Sequence, residues 1–371
     1  MRKIYLDNNA TTEIDPRVQE ALIEEMKRGF GNPSSIHSFG QEVRNRLTKA
    51  RRTITSFFGI KPTEFLFTSS GTEAINMVFK GTEGHILTSS AEHACVYANA
   101  KEMEERGRSV DFLSPGEHGA VTVDQVRESI RPNTGLIALM AVNNETGVKT
   151  DIDAIAVLAE EHKIPFFVDA VALVGKELFT VPSGVSGFCI SGHKFHAPKG
   201  IGGLFLRSPL KPLPLITGGP QEYNKRAGTE NVIGIIGMAK AIEVLEQELP
   251  EATERMGRLR DYLEQEIISR VSDVLVNGEG PRVCNTNNLS FVGVEGESIL
   301  MNCDMAGLAL SHGSACSSGS LEPSRILMSM GLTKDRARSS IRFSLSRFTT
   351  EEEIERAIEI VVNVVNQLRS I

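Results

Sequence analysis

The sequence predicts an α/β fold built on a mostly parallel sheet covered by helices, with a smaller α+β domain towards the C-terminus. Three observations carry this. From residue 16 to about 250, short apolar runs alternate with amphipathic stretches. The runs are apolar at successive positions rather than alternate ones, the pattern of strands buried on both faces. Beyond residue 270 the elements become shorter and mixed. The expected organisation is an N-terminal segment 1–15 packing on the small domain, a large domain 16–250 and a small domain 251–371.

In chain order, the runs 64–68, 85–89, 135–142 and 165–169, then the pair 187–191 and 200–206, predict the strands of the sheet. The stretches 91–106, 122–130 and 152–162 predict helices between them. Residues 230–270 predict a long helical connection broken near Pro250, because proline lacks an N–H and clashes with the preceding turn. In the small domain, strands are expected near 287–293 and 340–345, and helices near 297–306, 322–331 and 350–368.

Bulk properties narrow the function. A chain of 371 residues, 40% apolar and 23% charged, is long enough for two domains and a large core. A net charge of −7 argues against a function dominated by direct nucleic-acid binding. No apolar run approaches the ~20 residues of a membrane span, and the first residues lack the apolar stretch of a signal peptide. The five cysteines (95, 189, 284, 303 and 316) include no CxxC pair, which fits a reduced, cytoplasmic protein.

The most telling residue is Lys194, in a turn between the two apolar runs that end at Ser191 and begin at Gly200. Such a site disfavours an ammonium ion, so the lysine is a candidate for Schiff-base chemistry. Ser191 and His193 beside it are suited to an anion. Together they suggest pyridoxal phosphate (PLP), which needs an amine to bond and a phosphate site. Thr68–Asn76 places small residues, among them Gly71 and Thr72, where a strand turns into a helix. That suits a phosphate, and it equally suits an ordinary helix cap. The chain has neither GxxxxGK[ST] nor GxGxxG, so it lacks a nucleotide fingerprint.

Asp169 ends an apolar run, where ligands of open α/β sheets bind, and could pair with a pyridine nitrogen or cap the next segment. His93, just after another run, could stack on a flat ring or start a helix. Asn144, in Asn143–Gly147, could bond a ligand or belong to a turn. His93 with Cys95, or His193 with His196, has no third or fourth ligand at suitable spacing, so no resident metal is expected. Cys316 lies in a polar Ser/Gly loop, 310–321, and is a candidate exposed nucleophile. Cys189 and Cys303 read as small core residues. Arg342, in an alternating strand pattern, could bind a carboxylate bidentately.

Seven segments together resemble the cysteine desulfurases of the IscS/NifS type, class-V aminotransferase-like enzymes of PLP fold type I. They are Tyr5–Thr12, Gly31–Ser35, Asn143–Gly147, Ser191–Lys194, Arg226–Thr229, Ser314–Cys316 and Ser340–Ser344, in this order over essentially the whole chain. The resemblance implies a seven-stranded-type sheet in the large domain and L-cysteine as substrate. Lys194 would bond the cofactor, while Gly71, Thr72, Ser191 and His193 would hold its phosphate. Thr229 would reach the phosphate of a neighbouring subunit, which implies a homodimer. His93 would stack on the ring, Asp169 would pair with its nitrogen, and Asn144 would lie near its phenolic oxygen. Asn32, Asn144 and Arg342 would orient the cysteine. Cys316 would take the sulfur as a persulfide and release alanine. It would pass the sulfur to an iron–sulfur scaffold or another acceptor, with transient contact to a nascent cluster.

Two positions depart from the family pattern. Position 172, usually Gln, is alanine, which removes a donor to the phenolic oxygen. Residues 221–226 lack the usual glycine-containing pattern. Other reactions of the same cofactor remain open at this point: selenocysteine lyase, cysteine sulfinate lyase, an aminotransferase, or a weakly active paralogue serving sulfur delivery.

Overall fold

The computed structural model describes residues 3–28, 30–313 and 322–370. β1 (Ile4–Tyr5), α1 (Pro16–Lys27) and α2 (Ser38–Phe57) come first. The alternating part runs β2 (Phe65–Thr68), α3 (Gly71–Gly81), β3 (His85–Ser89), α4 (Ala94–Glu105), β4 (Val110–Leu113), α5 (Val123–Ser129), β5 (Thr134–Met140), α6 (Ile152–His162), β6 (Phe166–Asp169), β7 (Val185–Ser191) and β8 (Gly202–Leu206). A short turn, α7 (Gln221–Asn224), and a long helix, α8 (Val232–Arg270), follow. The remainder comprises β9 (Val274–Val276), β10 (Thr286–Phe291), α9 (Gly296–Met305), β11 (Leu308–Ala309), α10 (Arg325–Ser329), α11 (Lys334–Arg338), β12 (Ser340–Ser344) and α12 (Glu351–Arg369).

Seven strands form the central sheet in the order β2-β8-β7-β6-β5-β3-β4, and only β8 runs against the rest. Every residue of β2, β3, β6, β7 and β8 is buried, which is why these strands read as apolar runs. β4 was not expected: it is an edge strand, half-buried throughout, and Asp111 interrupts its apolar pattern. Because the strands share one direction, the ends of β2, β3, β5, β6 and β7 open on one side of the sheet, where α/β folds place their ligands.

β12, β10 and β9 make a second, antiparallel sheet with its own core, which includes Leu289, Phe291, Ile341 and Phe343. The N-terminal segment laces the two parts together. Ile4 and Leu6 are buried in the small core, while the Thr12 and Asp15 amides donate to the carbonyls of His193 and His196.

Helix α8 corrects the expected break at Pro250, since it runs through that residue without interruption. Proline still removes one helical donor. Leu245, Leu249, Ala252 and Met256, buried on both sides of it, keep the helix continuous through packing. The same helix then buries Leu259, Leu263 and Ile267 in the small core.

The departure at 221–226 has a backbone consequence. Glu222, Tyr223 and Asn224 all take left-handed conformations, with φ of 44°, 59° and 63°. The turn drives the Glu222 carboxylate inward, where it accepts bonds from Arg51 (2.5 Å) and from the Phe67 amide on the sheet edge (2.8 Å). Left-handed geometry costs a side-chain-bearing residue about 1–2 kcal/mol, and glycine gives back about half of that in unfolded-chain entropy. Tyr223→Gly is therefore expected to stabilise the protein by about 0.5–1 kcal/mol, measured by urea unfolding; a net loss would contradict the strain. Among the described residues no helix is long and apolar enough to cross a membrane.

Candidate active site

A cavity of about 210 Å³ lies beyond the strand ends. Its wall includes Gly71, Thr72, His93, Asn144, Asp169, Ser191, His193, Lys194 and Arg342. Residues as far apart in the sequence as Asn8 and Arg342 thus meet in one place.

Lys194 ends a single 3₁₀ turn, Gly192–Lys194, that leaves β7. The Gly192 amide bonds to the Ile201 carbonyl and closes the connection to β8. The Lys194 ammonium donates to two carbonyls of the N-terminal segment, Asn9 and Ala10, the latter at 3.0 Å. Asp169 stands at the end of β6, its Oδ1 accepting from the Val171 amide (3.0 Å) and the Cys189 thiol (3.6 Å). Cys189 is thus a core residue with a polar contact.

His93 caps α4: its Nδ1 accepts the Cys95 amide at 3.1 Å. Burial pushes its pKa down, with Lys194 and Arg325 adding to the effect and Asp169 opposing it. A neutral ring accepting at Nδ1 carries its proton on Nε2. His193 lies 3.1 Å from the Thr11 hydroxyl, and burial together with the charges of Lys194, Lys199 and Lys176 pushes it down to about 4. It is therefore uncharged at neutral pH.

α3 begins at Gly71 behind the N-cap Ser70. A Cβ at Gly71 would lie 2.8 Å from the Val171 side chain, so glycine is what lets the helix end approach the turn after β6. The first amides of a helix have no intrahelical partner and carry partial positive charge. Glu73 braces the turn, accepting the Ser69 amide (2.7 Å) and Arg226 (3.1 Å).

Arg342 lies on β12, 1% exposed. Its guanidinium donates to the Asn144 carbonyl (3.0 Å) and to Asp7 (2.6 Å). Burial raises the Asp7 carboxyl, and Arg342 partly offsets that. The Arg342 Nε and the Asn144 Oδ1 are buried without a hydrogen-bond partner among the described residues. A cavity with a positive helix end at one side, a carboxylate at another, a lysine between them and orphaned polar atoms fits PLP.

Some expected residues stand elsewhere. Asn32 is exposed and off the cavity, its oxygen accepting the Ser34 amide at 2.9 Å. Thr229 is exposed and also outside its own chain's cavity. Cys316 lies outside the described residues. The chain on either side of it is fastened near the cavity: Ser311 pairs with Arg342, and the Ser324 hydroxyl donates to the buried Glu145 carboxylate at 2.5 Å. Arg325 donates to the carbonyls of Ser90 and Glu92, next to His93. Ala172 lies on the cavity wall, so the missing Gln side chain would have faced the ligand space.

Three groups on or beside the cavity were not singled out from the sequence as site residues: the carbonyls of Asn9 and Ala10, Asp7, and Lys176. Backbone carbonyls leave no sequence signal. Lys176 has a weak one, a Gly-Lys pair shortly after the strand-ending Asp169. Among the described residues, no group of three or more His, Cys, Asp or Glu is arranged to hold a metal.

Comparison with known proteins gives a consistent picture. The Aminotransferase class-V family model matches residues 4–357. A cysteine desulfurase of Nostoc sp. is 42% identical, over 100% of this chain and 95% of its own. The cysteine desulfurase IscS of Dictyoglomus turgidum is 44% identical, over 100% and 96%. Among solved structures, a NifS-like protein superposes with a TM-score of 0.91 at 31% identity, covering 99% of this chain and 100% of that one. SspA in complex with cysteine gives 0.82 at 32% identity, over 94% and 100%.

Proposed function

The chain belongs to the class-V aminotransferase family, and from that premise we propose that it is a PLP-dependent cysteine desulfurase. It converts L-cysteine to L-alanine and carries the sulfur on Cys316. The observation that supports this best is the convergence of Lys194, Asp169, His93 and Arg342 on one cavity. Lys194 would hold the cofactor covalently and Asp169 its ring nitrogen. His93 would cover one face, Asn144 would lie near the phenolic oxygen, and the phosphate would rest on Gly71, Thr72, Ser191 and His193. When bound, the cofactor supplies an electron sink that weakens bonds at Cα and then Cβ of an amino acid.

The chain's own groups do the rest. Arg342, with Asn144, orients the substrate, whose carboxylate competes with Asp7 for the guanidinium. Desolvation makes Asp7 the weaker holder of negative charge, which favours the exchange. The Lys194 amine moves the Cα proton from a position between the Asn9 and Ala10 carbonyls. The Cys316 thiolate attacks the substrate sulfur: the S–S bond forms, the C–S bond breaks, and its electron pair takes up a proton at Cβ to give alanine. No further oxidant or reductant is needed. The fastening of residues 311 and 324 beside the cavity supports this role for Cys316. An iron–sulfur scaffold or another sulfur-acceptor protein would take the persulfide, in the cytoplasm.

The native protein incubated with L-cysteine and a thiol reductant, which removes the persulfide sulfur as sulfide, should release alanine in proportion to sulfide; no alanine would refute the proposal. A Cys316→Ser variant that still made alanine at the native rate would indicate a lyase instead.

The working unit we propose is a homodimer. Thr229 is exposed in a segment that also exposes Leu215, Ile216, Tyr223 and Ile233, and Phe30 and Ile36 are 86% and 90% exposed. So much apolar surface suggests a partner. Sedimentation velocity is expected to give twice the 40.5 kDa chain mass, and a monomer at micromolar concentration would contradict it.

A further inference from the structure

The desulfurase reading assigns no task to Lys176, although this second lysine lines the same cavity as Lys194. It is 2% exposed, an unusual place for an ammonium ion. Its Nζ donates to the backbone carbonyl of Lys194 at 2.5 Å. Its own carbonyl accepts the Thr253 hydroxyl (2.6 Å) and the Cys284 thiol (3.2 Å), so it is fastened from α8 and from the chain before β10. Gly175, with φ of 84°, makes the approach feasible: a Cβ there would overlap that of Phe195, the residue after Lys194. A glycine and a buried lysine in succession thus dock one loop onto the turn that carries the reactive amine.

We propose that Lys176 is a positioning residue: its ammonium fixes the backbone from which Lys194 projects and supplies, at neutral pH, a positive charge that disfavours protonation of the Lys194 nitrogen. This rests on the reading of Lys194 as the cofactor-bonding amine. The physical ground is that two like charges in one poorly solvated cavity oppose each other's protonation. Burial, then the neighbouring cations Lys194 and Arg347, push the Lys176 amine down to about 8, with Cys284 opposing, and the Lys176 charge in turn helps depress His193. Among the described residues, the other titratable and charged groups around the pair include Asp7, His93, Asp169, His196 and Arg342. Of these groups Asp7 and Asp169 are acidic, and Asp7 is already engaged by Arg342.

The test is the pH dependence of the visible absorbance of the lysine-bound cofactor in the native holoenzyme and in Lys176→Gln, Lys176→Met and Lys176→Arg. Gln keeps a donor for the Lys194 carbonyl without the charge, so its midpoint should rise by about one pH unit. That is the order expected when a unit charge nearby is removed at an effective dielectric near 20. Met should show the same rise and also release the cofactor more readily, whereas Arg should restore the native midpoint. A Gln midpoint equal to the native one, in a variant that still binds the cofactor, overturns the proposal while leaving the desulfurase reading intact. A native protein without the lysine-bound band overturns both.

Discussion

Replacing Lys194 by alanine is expected to lower alanine production from L-cysteine by roughly 10³-fold or more and to abolish the lysine-bound visible band. Two effects combine. The cofactor loses its covalent hold, and the group that moves the Cα proton disappears, a role worth about 10²–10⁴ in rate. The fold should survive, because the N-terminal segment that the Lys194 Nζ meets at the Asn9 and Ala10 carbonyls stays fastened by the Thr12 and Asp15 amides. Far-ultraviolet circular dichroism on the same sample separates loss of chemistry from loss of structure. Turnover within ten-fold of native would contradict the role of Lys194.

The second large effect is structural. Asp15 is fully buried and accepts bonds from Arg17 (2.8 Å) and Arg347, and both arginines also reach Glu248. This cluster joins the N-terminal segment, α8 and the chain after β12. Removing one partner of a buried pair costs about 3–5 kcal/mol, because the remaining charge is left uncompensated. Asp15→Ala should sit near 3 kcal/mol, since Glu248 still faces both guanidinium groups. It also removes the cap of α1. Burial alone would raise the Asp15 carboxyl, but the bonds and charges of Arg17 and Arg347 outweigh it and hold it well below the usual carboxylate range. The stabilisation is therefore fully present above the ordinary aspartate pKa of about 3.9 and is lost as pH falls below it. Urea unfolding of the variant within about 0.5 kcal/mol of native at neutral pH would contradict the account.

Much of this fold was legible in the sequence because the strands that build it are buried on both faces. Phe65–Thr68, His85–Ser89 and Phe166–Asp169 announce themselves as apolar runs, and each is followed by the polar residue or turn that faces the cavity. Lys194 was legible for the same reason, as a cation between two such runs. The edge strand Val110–Leu113 was not, because half-burial leaves no distinct pattern. Pro250 misled because packing on both sides of it outweighs a local breaker. Of the site, side chains at strand ends could be found. The Asp7–Arg342 pair and the carbonyls under Lys194 could not, and Lys176 left only a weak Gly-Lys signal, since their importance lies in contacts between segments distant in sequence.

The central claim is that sulfur leaves L-cysteine onto Cys316. Mass spectrometry of the peptide carrying Cys316, taken after a single turnover with L-cysteine, tests it most directly. The account predicts a gain of one sulfur atom on Cys316 for each alanine released, and no such gain in the Lys194→Ala variant. Alanine released in full while Cys316 stays unmodified would contradict it.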